Sequence, residues 1–318
     1  MKITVIGCGR WGSFIAWYLD KIGHEVTLYG RKESKNMQQF LTERGNGLLT
    51  ISDRMKLETD LSKAVDAECI VISINAQGLR SLLAELKEYP IKNTYFVLCM
   101  KGIEISTGER LTQIVEETMD SSNPVAVWLG PGHVQEFTKG IPNCMVIDSN
   151  NDAAKEYLVK EFSSELIRFY YGEDLIGNEV GAAAKNVIGI AAGMLDGLQL
   201  SSLKGALMSR GTREIARLIK AMGGNELSAY GLCHLGDYEA TVFSEFSHNR
   251  KYGEMYVKKE PYGLLAEGYY TVSALVNLGK KYEVDLPICN AVYEVLYEGK
   301  DAKEVLDSLF LRSIKKEF

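Results

Sequence analysis

The stretch that decides the fold is residues 1–32, MKITVIGCGRWGSFIAWYLDKIGHEVTLYGRK. An apolar run leads into Gly7-x-Gly9-x-x-Gly12, and a helical pattern and a second apolar run follow. This order of strand, glycine turn, helix and strand is that of the βαβ unit that binds a dinucleotide. Glycine turns also occur without this function, but the position between a predicted strand and a predicted helix favours a nucleotide site.

Each glycine of the motif has a predicted role. Gly7 permits the tight turn, Gly9 lets the backbone approach a pyrophosphate, and Gly12 lets the helix pack against the strand. The helix N-terminus offers unpaired N–H groups and a partial positive charge to the phosphates. We therefore expect this turn to bind NADH or NADPH.

The end of the second strand bears on the choice between these cofactors. It reads Gly30-Arg31-Lys32 and lacks the acid that would accept hydrogen bonds from the adenosine ribose. Arg31 and Lys32 are suited to stabilise a 2′-phosphate through charge-assisted hydrogen bonds. Both side chains also fit a solvated loop, so NADPH is favoured over NADH and the choice stays open.

Length, composition and charge narrow the class of protein. The chain has 318 residues, enough for two domains with buried cores, and 46% of them are hydrophobic. A net charge of −6 without a basic tail argues against a nucleic-acid partner. No apolar run approaches the ~20 residues of a membrane span. The N-terminus enters a strand at once, which is unlike a signal peptide, so we expect a cytoplasmic protein.

Cysteine and histidine usage gives no sign of a metal site. The six cysteines are scattered without CxxC spacing, and the four histidines lack the spacing of metal ligands. Most of the cysteines lie in apolar runs, so we expect reduced, buried thiols and no bound metal.

Beyond residue 32, apolar runs alternate with helical patterns. Further strands are predicted at residues 69–74, 95–99, 125–129, 143–147 and 166–171, and helices at residues 61–67, 78–89, 107–119 and 152–163. This alternation, with the strand-end loops all on one side, predicts an α/β fold with a doubly wound, Rossmann-like sheet. We assign residues 1–177 to this NAD(P)-binding domain.

From residue 178 onward the patterns are helical, with almost no strand signal. Helices are predicted at residues 178–198, 205–222, 264–282, 290–297 and 302–309. The first is dense in glycine and alanine, which let other helices or a ligand approach its backbone closely. We assign residues 178–318 to an all-α substrate domain.

Three charged residues are candidates for catalysis, each with an ordinary alternative. Lys185 lies on a helix otherwise suited to burial, where an ammonium needs a partner or a purpose, although it also fits a solvent-facing position. Lys101 closes a strand at the edge where ligands bind in α/β sheets, but it also fits an ordinary loop. Asp237 is suited to orienting a lysine, or to serving as a turn residue or N-cap.

A compact group of donors lies at Ser247-His248-Asn249-Arg250-Lys251. Hydroxyl, imidazole, amide and guanidinium groups together suit a phosphate or a carboxylate. As a bare run of charges, the same residues fit a solvated surface turn.

Seven motifs along the whole chain resemble the NAD(P)-dependent glycerol-3-phosphate dehydrogenase family of the bacterial type. They are GxGxWG, Lys101-Gly102, Gly130-Pro131, Lys185-Asn186-Val187-Ile188, Leu235-Gly236-Asp237, Ser247-x-Asn249-Arg250 and Glu267-Gly268-Tyr269. Their order and approximate spacing match the family, and several motifs together are far more specific than any one.

The resemblance implies roles for individual residues. Lys185 matches the catalytic lysine, Asp237 matches the acid beside it, and Lys101 matches a lysine that contacts substrate and cofactor. Further cofactor contacts are implied for Arg10, Trp11, Arg31, Val134, Leu265 and Glu267, and substrate contacts for Gly130, Gly132, Ser247, His248, Asn249 and Arg250. The implied reaction is hydride transfer to C2 of dihydroxyacetone phosphate, giving sn-glycerol 3-phosphate for glycerophospholipid synthesis. A homodimer is expected from the resemblance alone.

Two departures from the family pattern keep other functions open. His248 stands where the family has an arginine that binds the substrate phosphate. A neutral imidazole cannot replace the two parallel hydrogen bonds and the permanent charge of a guanidinium group. His133 stands where bacterial members carry Ser or Thr, and either adds a contact to the pocket or points away. The alternatives are another small phosphorylated or carboxylated ketone as substrate, or a non-catalytic NAD(P)-binding sensor. Retention of Lys101, Lys185 and Asp237 argues against the sensor.

Overall fold

A computed structural model describes residues 1–314 and 316. The chain forms two compact units. The first, which we call the sheet unit, comprises Met1–Lys101 and Glu109–Glu179, and the second, the helical unit, comprises Gly102–Gly108 and Val180–Phe318. The boundary that the sequence suggests at residue 177 lies inside the helix at which one unit gives way to the other.

The sheet unit contains an eight-stranded sheet in the order β3-β2-β1-β4-β5-β6-β7-β8. Its strands are β1 (Lys2–Ile6), β2 (Glu25–Tyr29), β3 (Lys56–Glu58), β4 (Cys69–Ile72), β5 (Tyr95–Leu98), β6 (Val125–Leu129), β7 (Asn143–Asp148) and β8 (Ile167–Tyr171). β1, β4 and β6 are buried along almost their whole length, as expected for parallel strands that are covered on both faces. β3 was not predicted from the sequence, because a strand of three residues is too short to show a periodic pattern.

The direction of the last two strands differs from the prediction. β1 to β6 are parallel, but β7 runs antiparallel to β6, and β8 is parallel to β7. The expectation that all strand-end loops share one side is therefore wrong for β7 and β8. The segment between β6 and β7 holds only the four-residue helix Val134–Phe137, too short to return the chain across the sheet as a parallel crossover does.

Seven helices belong to the sheet unit. They are α1 (Arg10–Lys21), α2 (Lys35–Glu43), α3 (Leu61–Ala64), α4 (Leu79–Leu86), α5 (Leu111–Thr118), α6 (Val134–Phe137) and α7 (Asp152–Phe162). α5 begins four residues later than the pattern predicts, because Gly108 has a φ of +75° and interrupts the helix. Phe14, Tyr18, Trp128 and Phe162 are fully buried and fill the core of this unit.

The helical unit is built mainly of long helices. They are α8 (Leu175–Gly197, which begins in the sheet unit), α9 (Lys204–Ala221), α10 (His248–Val257), α11 (Glu267–Lys281), α12 (Pro287–Tyr297) and α13 (Ala302–Phe310). Two short helical turns, Leu235–Asp237 and Glu239–Phe243, precede α10. Among residues 172–314 and 316 the structure has no strand, in agreement with the prediction. α10 was not predicted as a helix.

The small residues of α8 let a neighbouring helix approach closely, as predicted. A Cβ on Gly193 would lie 1.8 Å from the carbonyl oxygen of Arg250, and a Cβ on Gly253 would lie 2.1 Å from that of Ile190. α8 and α10 therefore pack backbone against backbone. Within the described residues, no helix combines the length and apolarity needed to cross a membrane. All six cysteines are free thiols, and five of them are buried.

Candidate active site

The turn between β1 and α1 has the geometry that a bound dinucleotide needs. Gly7 has a φ of +119°, and a Cβ there would lie 2.1 Å from the carbonyl oxygen of Ser73. A Cβ on Gly12 would lie 2.0 Å from the carbonyl oxygen of Gly7. A Cβ on Gly9, by contrast, would meet no atom within 4 Å. The open space beside the first turn of α1 and its N–H groups fits a pyrophosphate.

The side chains expected to contact the cofactor differ in their surroundings. Arg10 is exposed at the start of α1. The indole N–H of Trp11 is buried and has no hydrogen-bond partner among the described residues, so it is available to an acceptor. Arg31 forms an exposed ion pair with Glu85, with 2.7 Å between Nη2 and Oε1.

The ends of β5 and β6 bring Lys101 to the loop that follows β6. Its Nζ donates a hydrogen bond of 2.8 Å to the carbonyl oxygen of Gly130. Gly132 has a φ of +147°, and a Cβ there would lie 2.3 Å from the ring of Phe137. Val134 is buried at the start of α6, and His133 is half-buried just before it. Lys101 therefore lies in the loop after β5, with its side chain held against the loop after β6.

Lys185 lies in the interior of the helical unit. Only 7% of the residue is exposed, so the solvent-facing alternative is wrong. Its Nζ lies 2.8 Å from Oδ2 of Asp237, which is 1% exposed. The same Nζ donates to the hydroxyl of Thr241 at 2.8 Å, and that hydroxyl donates to the carbonyl oxygen of Asp237. A Cβ on Gly189 would lie 2.6 Å from Thr241, so glycine lets this segment approach α8.

The sequence analysis assigned no role to Thr241. Its only signal is the spacing of four residues from Asp237, which places both side chains on one side of a helical turn. Because the helical turns over residues 235–243 are short and irregular, no periodic pattern in the sequence predicts them.

His234 holds this turn against α8 and also lacked a predicted role. Its Nδ1–H donates to the carbonyl oxygen of Gly181 at 2.8 Å, and its Nε2 accepts from the hydroxyl of Tyr238 at 2.7 Å. The pKa of His234 is lowered to about 4, mainly by burial and also by the nearby Lys185 ammonium, against the raising effects of the Gly181 hydrogen bond and of Asp237. The imidazole is therefore neutral at pH 7, and both ring nitrogens are engaged.

The donor group at residues 247–251 forms the start of α10 and not the surface turn that the sequence left open as an alternative. Ser247 is the N-cap, and its Oγ accepts from the backbone N–H of Arg250. His248 shares a hydrogen bond of 2.6 Å between its Nδ1 and the hydroxyl of Tyr262. The imidazole therefore has a fixed neighbour at the position where the family resemblance implies arginine.

Asn249 and Arg250 are engaged within the helical unit. Nδ2 of Asn249 donates to Oδ1 of Asn186, and Oδ1 of Asn249 accepts from the backbone N–H of Gly268. Asn249 thus ties α10 to the residue next to Lys185 and to the start of α11. Nε of Arg250 lies 2.6 Å from Oδ2 of Asp196, so this guanidinium already has a carboxylate partner.

The structure thus brings part of the predicted site together. Lys185, Asp237 and Asn249 gather around α8 in the helical unit, and Lys101 meets Gly130 in the sheet unit. Two expected cofactor contacts lie near the start of α11, where Leu265 is 48% exposed and Glu267 is the first helical residue.

Comparison with known proteins assigns the chain to a family. The profile for the NAD-dependent glycerol-3-phosphate dehydrogenase N-terminus matches residues 2–155, and that for the C-terminus matches residues 174–307. The chain belongs to the NAD-dependent glycerol-3-phosphate dehydrogenase family. A relative named glycerol-3-phosphate dehydrogenase [NAD(P)+] from Thermoanaerobacter sp. (strain X514) is 35% identical and covers 100% of this chain and 99% of its own.

Other members of the glycerol-3-phosphate dehydrogenase family agree in sequence and fold. A Clostridium botulinum protein (strain Alaska E43 / Type E3) of the same name is 37% identical over 99% of both chains. The crystal structure of a glycerol-3-phosphate dehydrogenase from Coxiella burnetii superposes with a TM-score of 0.91 at 26% identity, covering 98% of both chains. D-mandelate dehydrogenase with NADH, at 16% identity and a TM-score of 0.65, shares the fold.

Proposed function

We propose that the protein reduces dihydroxyacetone phosphate to sn-glycerol 3-phosphate with NAD(P)H, reversibly, and so supplies glycerophospholipid synthesis. The observation that carries the proposal is the buried ion pair of Lys185 and Asp237 in a member of the glycerol-3-phosphate dehydrogenase family. A buried ammonium is costly unless it is paired, and a non-catalytic sensor would have no use for one.

The ion pair supplies the proton that the reduction requires. A reduced nicotinamide, when bound, would supply a hydride to the carbonyl carbon of the substrate, and negative charge would develop on the carbonyl oxygen. The Lys185 ammonium stabilises this charge and then donates its proton, giving the alcohol. Asp237 and Thr241 hold Nζ at 2.8 Å each and so limit its motion. Lys101 supplies a further cation for the substrate or the cofactor.

The glycine turn and its surroundings hold the cofactor. Gly7, Gly9 and Gly12 shape the turn, and the first turn of α1 carries the pyrophosphate. The ion pair between Arg31 and Glu85 is exposed, and such pairs contribute about 0–1 kcal/mol. A 2′-phosphate therefore competes successfully for Arg31, which favours NADPH over NADH. Kinetics with both reduced cofactors test this preference.

Groups suited to contact the substrate occur in each unit, after β6 in the sheet unit and at the start of α10 in the helical unit. Gly130 and Gly132 offer backbone groups, and Ser247 to Arg250 offer side chains and the N-terminus of α10. The His248–Tyr262 contact supports a second candidate, a different small phosphorylated or carboxylated ketone, because an imidazole held by Tyr262 lacks the permanently charged fork of arginine.

His248→Arg separates these two candidates. If the substrate is dihydroxyacetone phosphate, a permanent positive charge should lower its KM about tenfold. Lys258→Arg, at the exposed C-cap of α10 and outside the donor group, controls for a change of side chain elsewhere on this helix. An unchanged KM, together with turnover of another ketone, would favour the second candidate.

Lys185→Met tests the proposed chemistry. We expect kcat for dihydroxyacetone phosphate to fall by about 10²–10⁴-fold, the usual contribution of a positioned acid, while NADPH binding persists. Lys280→Met, at an exposed position on α11, is the matched control and should retain activity. Binding of the cofactor by the wild type without turnover of any small phosphorylated or carboxylated ketone would overturn the proposal.

We also propose a cytoplasmic location and a homodimer. Free thiols at all six cysteines and a reaction that uses reduced nicotinamide support the location. Family resemblance supports the dimer, and light scattering of the purified protein tests it.

A further inference from the structure

A cavity lies in the helical unit, between α8, α9, α12 and α13. It has a volume of about 820 Å³, and none of the proposed active-site residues lines it. Apolar side chains from all four helices form its floor, including Ala191, Leu195, Leu207, Val292, Val295 and Leu306. A volume of this size and an apolar lining are typical of sites for small ligands.

Positive charge surrounds this apolar floor. The cations that line the cavity are Arg210, Arg213, Arg217, Arg312 and Lys316, against two acids, Glu214 and Asp285. Both acids are engaged, because Glu214 accepts from the backbone N–H groups of Ile288 and Cys289 and Asp285 pairs with Arg312. Arg210 is exposed and forms no hydrogen bond or ion pair with the described residues. A basic rim in a protein of net charge −6 selects for an anion.

We propose that this cavity binds a long-chain fatty carboxylate. The hydrocarbon chain lies on the apolar floor, where its burial removes nonpolar surface from water. The carboxylate lies at the rim beside Arg210, whose guanidinium group matches a carboxylate in charge and in fork geometry. The combination of apolar floor and cationic rim excludes a purely polar anion such as inorganic phosphate as the preferred ligand.

Displacement of a fluorescent fatty acid, cis-parinaric acid, by unlabelled ligands tests the proposal. We expect each methylene added to a saturated carboxylate between about 8 and 14 carbons to lower Kd about three- to fourfold until the cavity is filled. The alcohol of equal length should bind about tenfold more weakly. Concentrations are kept below those at which micelles form.

Two variants assign the binding to this cavity. Arg210→Gln should weaken the carboxylate about fivefold and leave the alcohol unchanged, whereas Lys280→Gln, the same change at an exposed lysine outside the cavity, should affect neither. Ala291→Trp, at a half-buried position in the lining, should abolish binding while the reductase assay confirms a folded enzyme. Ala206→Trp, at an exposed lining position on α9, replaces it if that variant does not fold.

Three results would overturn the proposal. They are the absence of displacement by any carboxylate, binding that neither tryptophan variant alters, and equal affinity for carboxylates and alcohols. A different pair of results would assign the cavity to a second copy of the chain. In that case the wild type binds no fatty acid, and Ala291→Trp converts a homodimer into a monomer.

Discussion

Three glycines of one motif meet very different surroundings. Substitution at Gly7 or Gly12 would force a Cβ to within 2.1 Å of backbone oxygen atoms, so both are required for the fold itself. Gly9 has a φ of −71°, which any residue adopts, and the space beside it is open. The fold therefore does not require glycine at position 9, and we propose that its role is in cofactor binding.

Gly9→Ala should separate cofactor binding from folding. We expect an unchanged melting temperature in the absence of cofactor, and a Kd for NADPH at least about tenfold higher, because the methyl group occupies the space of the pyrophosphate. Gly205→Ala, on α9, also places its Cβ in open space and is the matched control. Unchanged NADPH affinity in Gly9→Ala would place the pyrophosphate elsewhere.

Buried polar side chains also join helices to one another, as Glu214 shows. It extends from α9, and its carboxylate accepts from the backbone N–H groups of Ile288 and Cys289 in the first turn of α12. The N-cap of α12 is Leu286, which has no side-chain oxygen, so Glu214 takes over the function of a capping residue. Burial nevertheless raises the pKa of Glu214 from 4.5 to about 7, against the lowering effect of these hydrogen bonds.

The raised pKa of Glu214 predicts a pH-dependent stability. Because the folded state holds the proton more tightly than the unfolded state, this contribution is full below pH 4.5 and is lost as the pH rises through about 7. Chemical denaturation should show wild-type stability falling relative to Glu214→Gln by up to about 3 kcal/mol over this window. Glu304→Gln, at an exposed position, should parallel the wild type. Parallel profiles for Glu214→Gln would contradict the prediction.

His234 contributes with the opposite sign over an overlapping window. Its pKa is lowered to about 4, so its stabilisation is present above its unfolded value near 6.5 and is lost as the pH falls toward 4. The two effects partly cancel in the wild type. The difference between variant and wild type therefore reveals the effect of Glu214 better than the wild-type profile alone.

In the whole molecule, the groups proposed for binding and for chemistry are divided between two compact units. The glycine turn and Lys101 belong to the sheet unit, and Lys185, Asp237 and Thr241 belong to the helical unit. Each group rests on contacts within its own unit, such as Lys101 with Gly130 and Lys185 with Asp237. Cofactor affinity and turnover should therefore be separable by mutation.

Thermal shift measurements test this separation. NADPH at 100 times its Kd should stabilise the wild type by about 2.7 kcal/mol, and Lys185→Met should show the same shift at the same concentration although it is inactive. At the same concentration, the tenfold rise in Kd expected for Gly9→Ala should remove about half of this stabilisation, and a larger rise should remove more. A Lys185→Met protein that no longer binds NADPH would show that the ion pair supports cofactor binding as well as chemistry.

Local patterns in the sequence determined the fold class of this protein. The glycine turn, every strand except β3 and the long helices α8, α9 and α11 to α13 follow from hydrophobic periodicity and glycine placement, which act over a few residues. Resemblance of several motifs also identified the family.

Only the tertiary structure decided where the charged groups lie and how distant segments pair. Lys185 and Thr241 are 56 residues apart, and no local pattern shows that α8 buries this lysine against an irregular turn. The reversed direction of β7 and the start of α10 at His248 likewise depend on distant contacts. Whether a charged side chain is buried, and which group it pairs with, depends on the packing of the folded chain, because the contacting segments are far apart in the sequence.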